Sequence, residues 1–378
     1  MHTSVVPAHL KIIDLFAGPG GLDVAARALG IPVTGIEWDS DACATRLAAG
    51  LLTEQGDVRK YGPKSFPTAN VLAGGPPCQT YTVAGNGTGR RALDQVLDLA
   101  KRMAKGDIEA VITELAKEKD PRTGLVLEPL RWALQALELE RPYQLIVLEQ
   151  VPAVLPVWQE FRDILITKGY SAICDVLHTE EFGVPQTRRR AILVARYVGD
   201  SESALRAEVE LPKATHRRYH KRTKDSNEPS KLDRWVTMGN ALNRTGPFVV
   251  VSNYGTGGDP KLRGQRRSDE PAFTVTGKVS RNKVVMPYGT PFPPPLDRLT
   301  EEEAGRLQTF PATFPWSGRA VSQQIGNAIP PRLGIHVLAA ALGLDNEQRD
   351  TALALLPQLS FPHCAAIDGA PVEPDTGE

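Results

Sequence analysis

Ile12-Ile-Asp-Leu-Phe-Ala-Gly-Pro-Gly-Gly21 is the stretch whose reading decides the fold. The run Lys11–Phe16 reads as a strand, and the apolar spacing of Leu22–Leu29 reads as the helix that follows it. The glycines between them let the backbone turn tightly and approach a ligand closely. Val33–Glu37 reads as a second strand, which puts Glu37 at a strand end roughly twenty residues beyond the loop. A carboxylate there can accept hydrogen bonds from both hydroxyls of a ribose, so the ligand contains a nucleoside. Trp38 offers a flat face for adenine or an ordinary core contact. By itself the loop fits a nicotinamide dinucleotide equally well.

The alternation continues through Ser40–Ala48, Val71–Ala73, Leu145–Leu148, Val157–Thr167 and Ala191–Ala195. It predicts a Rossmann-like α/β fold, an open sheet of parallel strands with crossover helices and a ligand at the strand C-terminal ends, near Asp14 and Glu37. Residues 201–297 are enriched in Gly, Pro, Arg and Thr, with short β-like pieces at Phe248–Val251 and Ala272–Thr276. They read as a smaller, loop-rich second domain. After the proline-rich hinge Pro291-Phe-Pro-Pro-Pro295, the helical run Glu301–Leu307 is expected to return the chain to the first domain. The division is therefore 1–200, 201–297 and a return segment 298–364, with disordered ends at 1–9 and 365–378. Between Gly89 and Asp120 a charged, helix-prone stretch reads as a helical hairpin packed beside the sheet.

Composition agrees with two domains or one large domain carrying an insertion: 378 residues, 41% of them hydrophobic. Cys43, Cys78, Cys174 and Cys364 are scattered and form no Cys-x-x-Cys pair, so neither a disulfide framework nor a metal site is expected. No apolar run approaches membrane-spanning length and Met1-His-Thr-Ser-Val does not begin an export signal, so cytoplasmic residence is the expectation. Lysines and arginines equal aspartates and glutamates at 44 each, which on average disfavours a polyanion partner. The average hides a segregation. Lys213–Lys224 contains no acid, and Lys261, Arg263, Arg266, Arg267, Lys278, Arg281 and Lys283 add a second basic group in the same region. Two such runs where catalytic motifs are missing point to a DNA-facing surface rather than a merely solvated loop.

Three further blocks carry chemistry. Ala73-Gly-Gly-Pro-Pro-Cys-Gln79 places Cys78 on a rigid turn after an apolar run, a position suited to nucleophilic attack or, on the bland reading, a turn with a buried thiol. Glu149 ends the apolar run Leu145–Leu148, as an acid-base group or as a surface carboxylate. In Gln186-Thr-Arg-Arg-Arg190, Arg188 and Arg190 alternate into the next strand and share a face with Gln186, while Arg189 points away. Together with Gln324-Ile-Gly-Asn-Ala-Ile-Pro-Pro331 and the glycine loop, these blocks stand in the order found in C5-cytosine DNA methyltransferases. The chain resembles that family over roughly residues 10 to 200 and 296 to 340.

The resemblance implies transfer of a methyl group from S-adenosyl-L-methionine, with S-adenosyl-L-homocysteine as product, to C5 of a cytosine flipped out of double-stranded DNA. In that scheme the Cys78 thiolate adds to C6, which gives C5 enamine character, and Glu149 stabilises charge on the N3 side. Arg188 and Arg190 hold the base O2 and nearby phosphates. The cofactor residues it implies are Asp14, Phe16, Gly18, Gly20, Gly21, Glu37, Trp38, Asp57, Val58, Gly75, Pro77, Asn327 and Ala328, with Asp57 receiving the adenine amino group or, on the bland reading, serving as a turn or cap residue. DNA contacts are assigned to Gln79, Gln186, Arg263, Arg266, Arg267, Thr274, Thr276 and Gly277. The chain departs from the family at Gln150, where asparagine is usual, which puts the support of the neighbouring loop in question. A monomer acting in restriction protection, beside a separate endonuclease, or as an orphan modification enzyme is the expected setting. An RNA cytosine-5 methyltransferase is the alternative enzyme, disfavoured by the long basic second domain. A non-catalytic DNA-binding relic has no physical reason to keep Cys78, Glu149, Arg188 and Arg190 together.

Overall fold

The computed structural model describes residues 9–77, 88–117, 123–199, 208–221, 231–255, 263–286 and 297–362. Its first half lays down β1 (Ile12–Leu15), α1 (Gly21–Ala28), β2 (Val33–Glu37), α2 (Ser40–Ala48), β3 (Leu52–Gln55) and β4 (Val71–Gly74). The helices α3 (Thr88–Ala104), α4 (Ile108–Leu115) and α5 (Glu128–Glu138) follow, then β5 (Leu145–Gln150), α6 (Leu155–Thr167), β6 (Tyr170–His178) and β7 (Arg189–Tyr197). The chain continues through α7 (Met238–Ala241), β8 (Val249–Gly255), β9 (Arg263–Arg267), β10 (Lys283–Val285) and β11 (Asp297–Arg298). It closes with α8 (Glu301–Leu307), α9 (Val321–Asn327), α10 (Pro331–Leu342) and α11 (Asn346–Leu355).

Among the described residues, the first seven strands form one sheet in the order β3-β2-β1-β4-β5-β7-β6. The strands β1 to β5 are parallel, and the chain winds outward first through β2 and β3, then through β4 and β5. That reversal makes the gap between β1 and β4 the switch point where ligands bind in such sheets. The fold is thus α/β and Rossmann-like, as the alternation predicts. One strand differs from expectation: the strand through Ala191–Ala195 runs antiparallel to both neighbours. Only ten residues separate β6 from β7, too few for the crossover a parallel neighbour requires, so the pair closes as a hairpin. β3 and β6 were not anticipated from the sequence pattern. The short polar run Leu-Thr-Glu-Gln of β3 carries little apolar signal.

Two apolar clusters cover the two faces of this sheet. On one side α3, α5 and α6 bury Leu99, Trp132, Trp158 and Phe161 against Leu72, Ile146 and Leu148. On the other, α1 and α10 bury Val24, Ala25, Leu333 and Val337 against Ile12, Val71 and Val147. Strands buried on both faces read as continuous apolar runs, which is the pattern of β1, β4 and β5. The expected hairpin at 89–120 is present as α3 and α4, packed with α5 and α6.

The second region has a four-stranded sheet in the order β11-β10-β8-β9. Ala272–Thr276, expected as a strand, is an extended segment bridged to Gln186 instead. Nor does the helix at Glu301–Leu307 return the chain to the first sheet. Ala304, Leu307, Val321 and Ile325 of α8 and α9 share a core with Met238, Phe248, Val250 and Val275. The reason is electrostatic as well as apolar. Thr300 and Glu303 form a capping box at the start of α8, and the same Glu303 carboxylate accepts from the Arg244 guanidinium at 2.5 and 2.8 Å. The chain rejoins the first sheet with α10, packed on α1.

Candidate functional site

Every element of the site arrives at one edge of the large sheet. Phe16 follows β1, Glu37 ends β2, Gly75 follows β4 and Glu149 lies near the end of β5. Because β7 is antiparallel, its first residues, not its last, reach that same edge, and Glu149 is paired in register with Ile192. These residues border a cavity of about 690 Å³, a size suited to a small-molecule ligand.

The loop after β1 is shaped by backbone conformations few residues adopt. Phe16 has φ 59°, in the left-handed region and unusual for a bulky side chain, and Gly18 and Gly20 follow at 55° and 100°. Gly20 serves as the N-cap of α1. Gly21 is required for space: a Cβ there would lie 2.3 Å from the Ile329 carbonyl oxygen, so any side chain would push the return segment off the loop. Glu37 ties β2 to this loop, one oxygen accepting from Gly18 N at 2.7 Å and the other from Trp38 N and Asp39 N at 2.8 and 2.7 Å. Trp38 stands 63% exposed beside it, so the packing alternative does not describe it.

Beneath the loop lies a buried pair absent from the sequence expectations. Arg46 of α2 donates to both carboxylate oxygens of Asp23 in α1, at 2.9 and 2.7 Å, and to Leu52 O and Thr53 Oγ1 at the start of β3. Gly35 makes room for it, since a Cβ on β2 would come 2.1 Å from Nη2. No local pattern announces a pair 23 residues apart. Asp14 sits on the cavity floor, and burial, reinforced by Asp23 and opposed by Arg46, pushes its carboxyl well above the usual range. Asp57 and Val58 line the same cavity. Burial tends to raise the Asp57 pKa, but the side-chain and backbone hydrogen bonds from Arg59 outweigh it and hold the carboxylate below its ordinary value.

Glu149 and Arg190 meet at the far side of the cavity, Oε1 to Nε 2.5 Å. The approach is not aligned as a hydrogen bond, so it is an ion pair with the carboxylate oxygen otherwise unpartnered. Gly75, Pro77, Asn327 and Ala328 complete the lining, which does not include Gly20. Cys78 and Gln79 lie outside the described residues, but the turn leading to them is held. The Gln150 amide donates to Pro76 O and accepts from Val151 N at 2.5 Å. Glutamine at this position therefore does support the loop, by folding its longer side chain back on its own strand end.

Two residues expected at the substrate turn inward. Arg188 is 1% exposed, and its guanidinium donates to Val275 O and Gly326 O at 2.8 Å and to Ala328 O at 3.2 Å. Burial, with Arg190 close by, holds its pKa well below the usual arginine range despite Glu149. Gln186 is fully buried: its amide donates to Leu307 O and Gln308 Oε1, both at 2.8 Å, and its carbonyl accepts from Val275 N at 2.9 Å. Neither side chain lines the large cavity, and apart from Arg188 Nε, which has no hydrogen-bond partner, their polar groups join the end of β7 to the segments at Val275, Leu307 and Gly326. Gln308, which the sequence reading missed, extends the network by donating to Ile325 O and Ala328 O at 2.5 and 3.1 Å.

The remaining candidates divide in the same way. Thr274 donates to Thr187 O at 2.7 Å, and Thr276 accepts from Lys278 N at 3.3 Å. Gly277 backs onto Gly326, where a Cβ would lie 2.3 Å from Gly277 N. Arg263, Arg266 and Arg267 share β9, with Arg266 stacked 4.3 Å from the Tyr219 ring centroid and 5.1 Å from Phe273, and Arg267 paired with Asp269 at 2.9 Å. Arg266 and Thr274 line a second depression of about 650 Å³ between the two regions, with Arg189, Lys221, His178, His220, the acid Glu180 and the buried Arg188 at its floor. It is predominantly basic, as a surface facing a polyanion would be. No metal-binding group of His, Cys, Asp or Glu occurs among the described residues, and no helix among them is long and apolar enough to cross a membrane.

Comparison with known proteins identifies the family. A family model described as C-5 cytosine-specific DNA methylase matches residues 10–101 and 116–342. The type II methyltransferase M1.HphI of Haemophilus parahaemolyticus is 25% identical over 374 residues, covering 90% of this chain and 88% of that protein. M.MthTI of Methanothermobacter thermautotrophicus is 24% identical over 353 residues, 86% and 94% of the two chains. Among solved structures, the Dnmt2 methyltransferase of S. pombe superposes with a TM-score of 0.55 at 16% identity, covering 92% of this chain and 99% of that one. That last likeness concerns the fold alone.

Proposed function

The chain belongs to the C-5 cytosine-specific DNA methylase family, and on that premise we propose that it methylates C5 of a cytosine flipped from duplex DNA, as a type II modification enzyme using S-adenosylmethionine. The observation that carries this reading is the meeting of Glu149 and Arg190 across one cavity from the glycine loop, Glu37 and Trp38. The cavity suits the cofactor chemically. In this reading Glu37 takes the ribose, the exposed face of Trp38 takes adenine and Asp57, which also caps the turn at Arg59, takes the adenine amino group, while the open space at Gly18 permits close approach of the backbone. When bound, S-adenosylmethionine supplies an electrophilic methyl group at the C5 position.

The chain's own residues prepare the base. Cys78 adds its thiolate to C6, and the charge that accumulates toward N3 is met by a proton that the Glu149 carboxyl shares with N3 once the base is bound. Arg190, already paired with Glu149, orients that carboxyl and reaches the base O2. Water removes the C5 proton before the thiol is eliminated. Arg188 acts at one remove, clamping the segment around Val275 to the loop at Gly326 and Ala328. Residues 201–297 serve target recognition, and the basic depression beside Arg266 takes the DNA backbone. Action as a cytoplasmic monomer, with or without a partner endonuclease, completes the reading.

Incubation of the protein with labelled cofactor and mixed-sequence duplex DNA, followed by sequencing for modified cytosines, gives activity and target together. DNA carrying 5-fluorocytosine at that target should trap the enzyme covalently through Cys78, because fluorine cannot leave as a cation. An active enzyme that escapes trapping, or that survives Cys78→Ser with full turnover, refutes the scheme.

A further inference from the structure

The matching family model passes over residues 102–115, yet the protein builds that stretch into its core. It comprises the end of α3, the turn at Gly106 and all of α4. Ile108 and Val111 are buried at 4% and 0%, in the same cluster as Val126 and Leu127. Arg102 and Glu114 close the hairpin at 2.7 Å. At its end Leu115 rests on Gly124, so closely that a Cβ on Gly124 would lie 2.9 Å from both leucine methyls. Gly124 belongs to the short 3-10 segment Thr123–Leu127, and its neighbour Leu125 lines the large cavity together with Val58 and Asp57. A 3-10 segment this short has little intrinsic stability and takes its position from what packs on it. The insertion packs on its outer side, and the cavity lies on its inner side.

We propose that the hairpin 102–115 is a positioning element that holds the Leu125 wall and thereby sets the affinity of the cavity for its nucleoside ligand. The proposal rests on the cofactor reading above and adds to it a part of the molecule that the family pattern lacks. Leu115 is the contact that transmits the effect. Shortening it lets the wall retreat, and adding a methyl at Gly124 pushes the Leu115 methyls out of their seat and loosens the same contact. Gly124 has no left-handed backbone conformation, so alanine there acts through space alone.

The test is calorimetric titration of the full chain with S-adenosylhomocysteine, alongside thermal melting and steady-state kinetics. Leu115→Ala and Gly124→Ala should each weaken binding roughly five- to tenfold and raise KM for the methyl donor in parallel, with kcat within about twofold. The double variant should bind more tightly than Gly124→Ala, because the vacated leucine volume accepts the new methyl, and Leu115→Met should match the parent. If Leu115→Ala does not fold, Gly124→Ala and the double variant decide the matter. Lowered melting temperatures with unchanged affinities would overturn the proposal and leave the hairpin as core packing. A parent chain that binds no S-adenosylhomocysteine would overturn the cofactor reading itself.

Discussion

Replacing Arg188 by methionine should cost the protein stability before it costs chemistry. The guanidinium makes two hydrogen bonds of 2.8 Å and one of 3.2 Å to backbone carbonyls while 1% exposed. Hydrogen bonds from a charged donor contribute about 1.5–3 kcal/mol each, so two good ones and one long one give a gross value of about 4–7 kcal/mol. Methionine removes the desolvation cost of a buried charge, which offsets several kcal/mol, but it strands the Val275 and Gly326 carbonyls, while Ala328 O keeps the Gln308 amide as donor at 3.1 Å. The net expectation is a loss of about 3–5 kcal/mol, a large share of a domain stability of about 5–15 kcal/mol. Urea titration followed by tryptophan fluorescence measures it, and a lowered midpoint with the slope unchanged is the expected signature. Arg188→Lys should fall between, since an ammonium keeps the charge but not the planar fork. An Arg188→Met protein that unfolds at the parent midpoint yet no longer methylates would refute the clamp and return Arg188 to the substrate.

Under the proposed mechanism Glu149→Gln takes away the group that meets N3 and weakens the pair with Arg190, so methylation should slow about 10²- to 10⁴-fold while DNA binding changes little; equal losses in both would make it a binding residue only. Gly326→Ala would drive a Cβ to 2.3 Å from Gly277 N and 2.5 Å from Thr276 C, backbone against backbone, at about 1–3 kcal/mol or more of stability together with weaker DNA affinity; a variant that melts and binds like the parent would contradict this packing. Glu180, beside His178, Glu181 and Arg218, has its pKa pushed up from 4.5 to about 7, chiefly by burial. A raised carboxyl pKa favours the folded state when protonated, so its contribution is complete below pH 4.5 and is lost as pH rises to about 7. Glu180→Gln should therefore gain stability relative to the parent across that interval, at most about 3 kcal/mol by pH 8; urea midpoints that differ equally at pH 5 and pH 8 would rule this out.

Much of the nucleotide half of the site was legible in the residues. The predicted strand Val33–Glu37 and helices Ser40–Ala48 and Glu301–Leu307 have those bounds in the structure, and the glycine loop stands between β1 and α1 as the pattern requires. Strand, tight turn and helix are specified by neighbours within a few residues, through apolar period and the conformational range of glycine. A carboxylate at a strand end is placed by the same local register. The hairpin α3–α4 was legible for that reason too, although its contact with Gly124 was not.

What tertiary structure decided is the half of the site built from pairings distant in sequence. Had β7 run parallel to β5, Arg190 would lie at the opposite edge of the sheet from Glu149; the hairpin from β6 turns it round and brings the two within 2.5 Å. Alternation groups Gln186, Arg188 and Arg190 on one face, but it does not say what each of them meets. The segment at Val275 and the loop at Gly326–Ala328 cover Gln186 and Arg188 and leave Arg190 at the cavity. The sequence by itself determined the residue types, their local elements and their faces, because those follow from short-range sterics and periodicity. Strand direction and burial of particular side chains were decided by the closed fold, because each depends on hydrogen bonds and contacts between residues far apart in the chain, 140 positions in the case of Arg188 and Ala328.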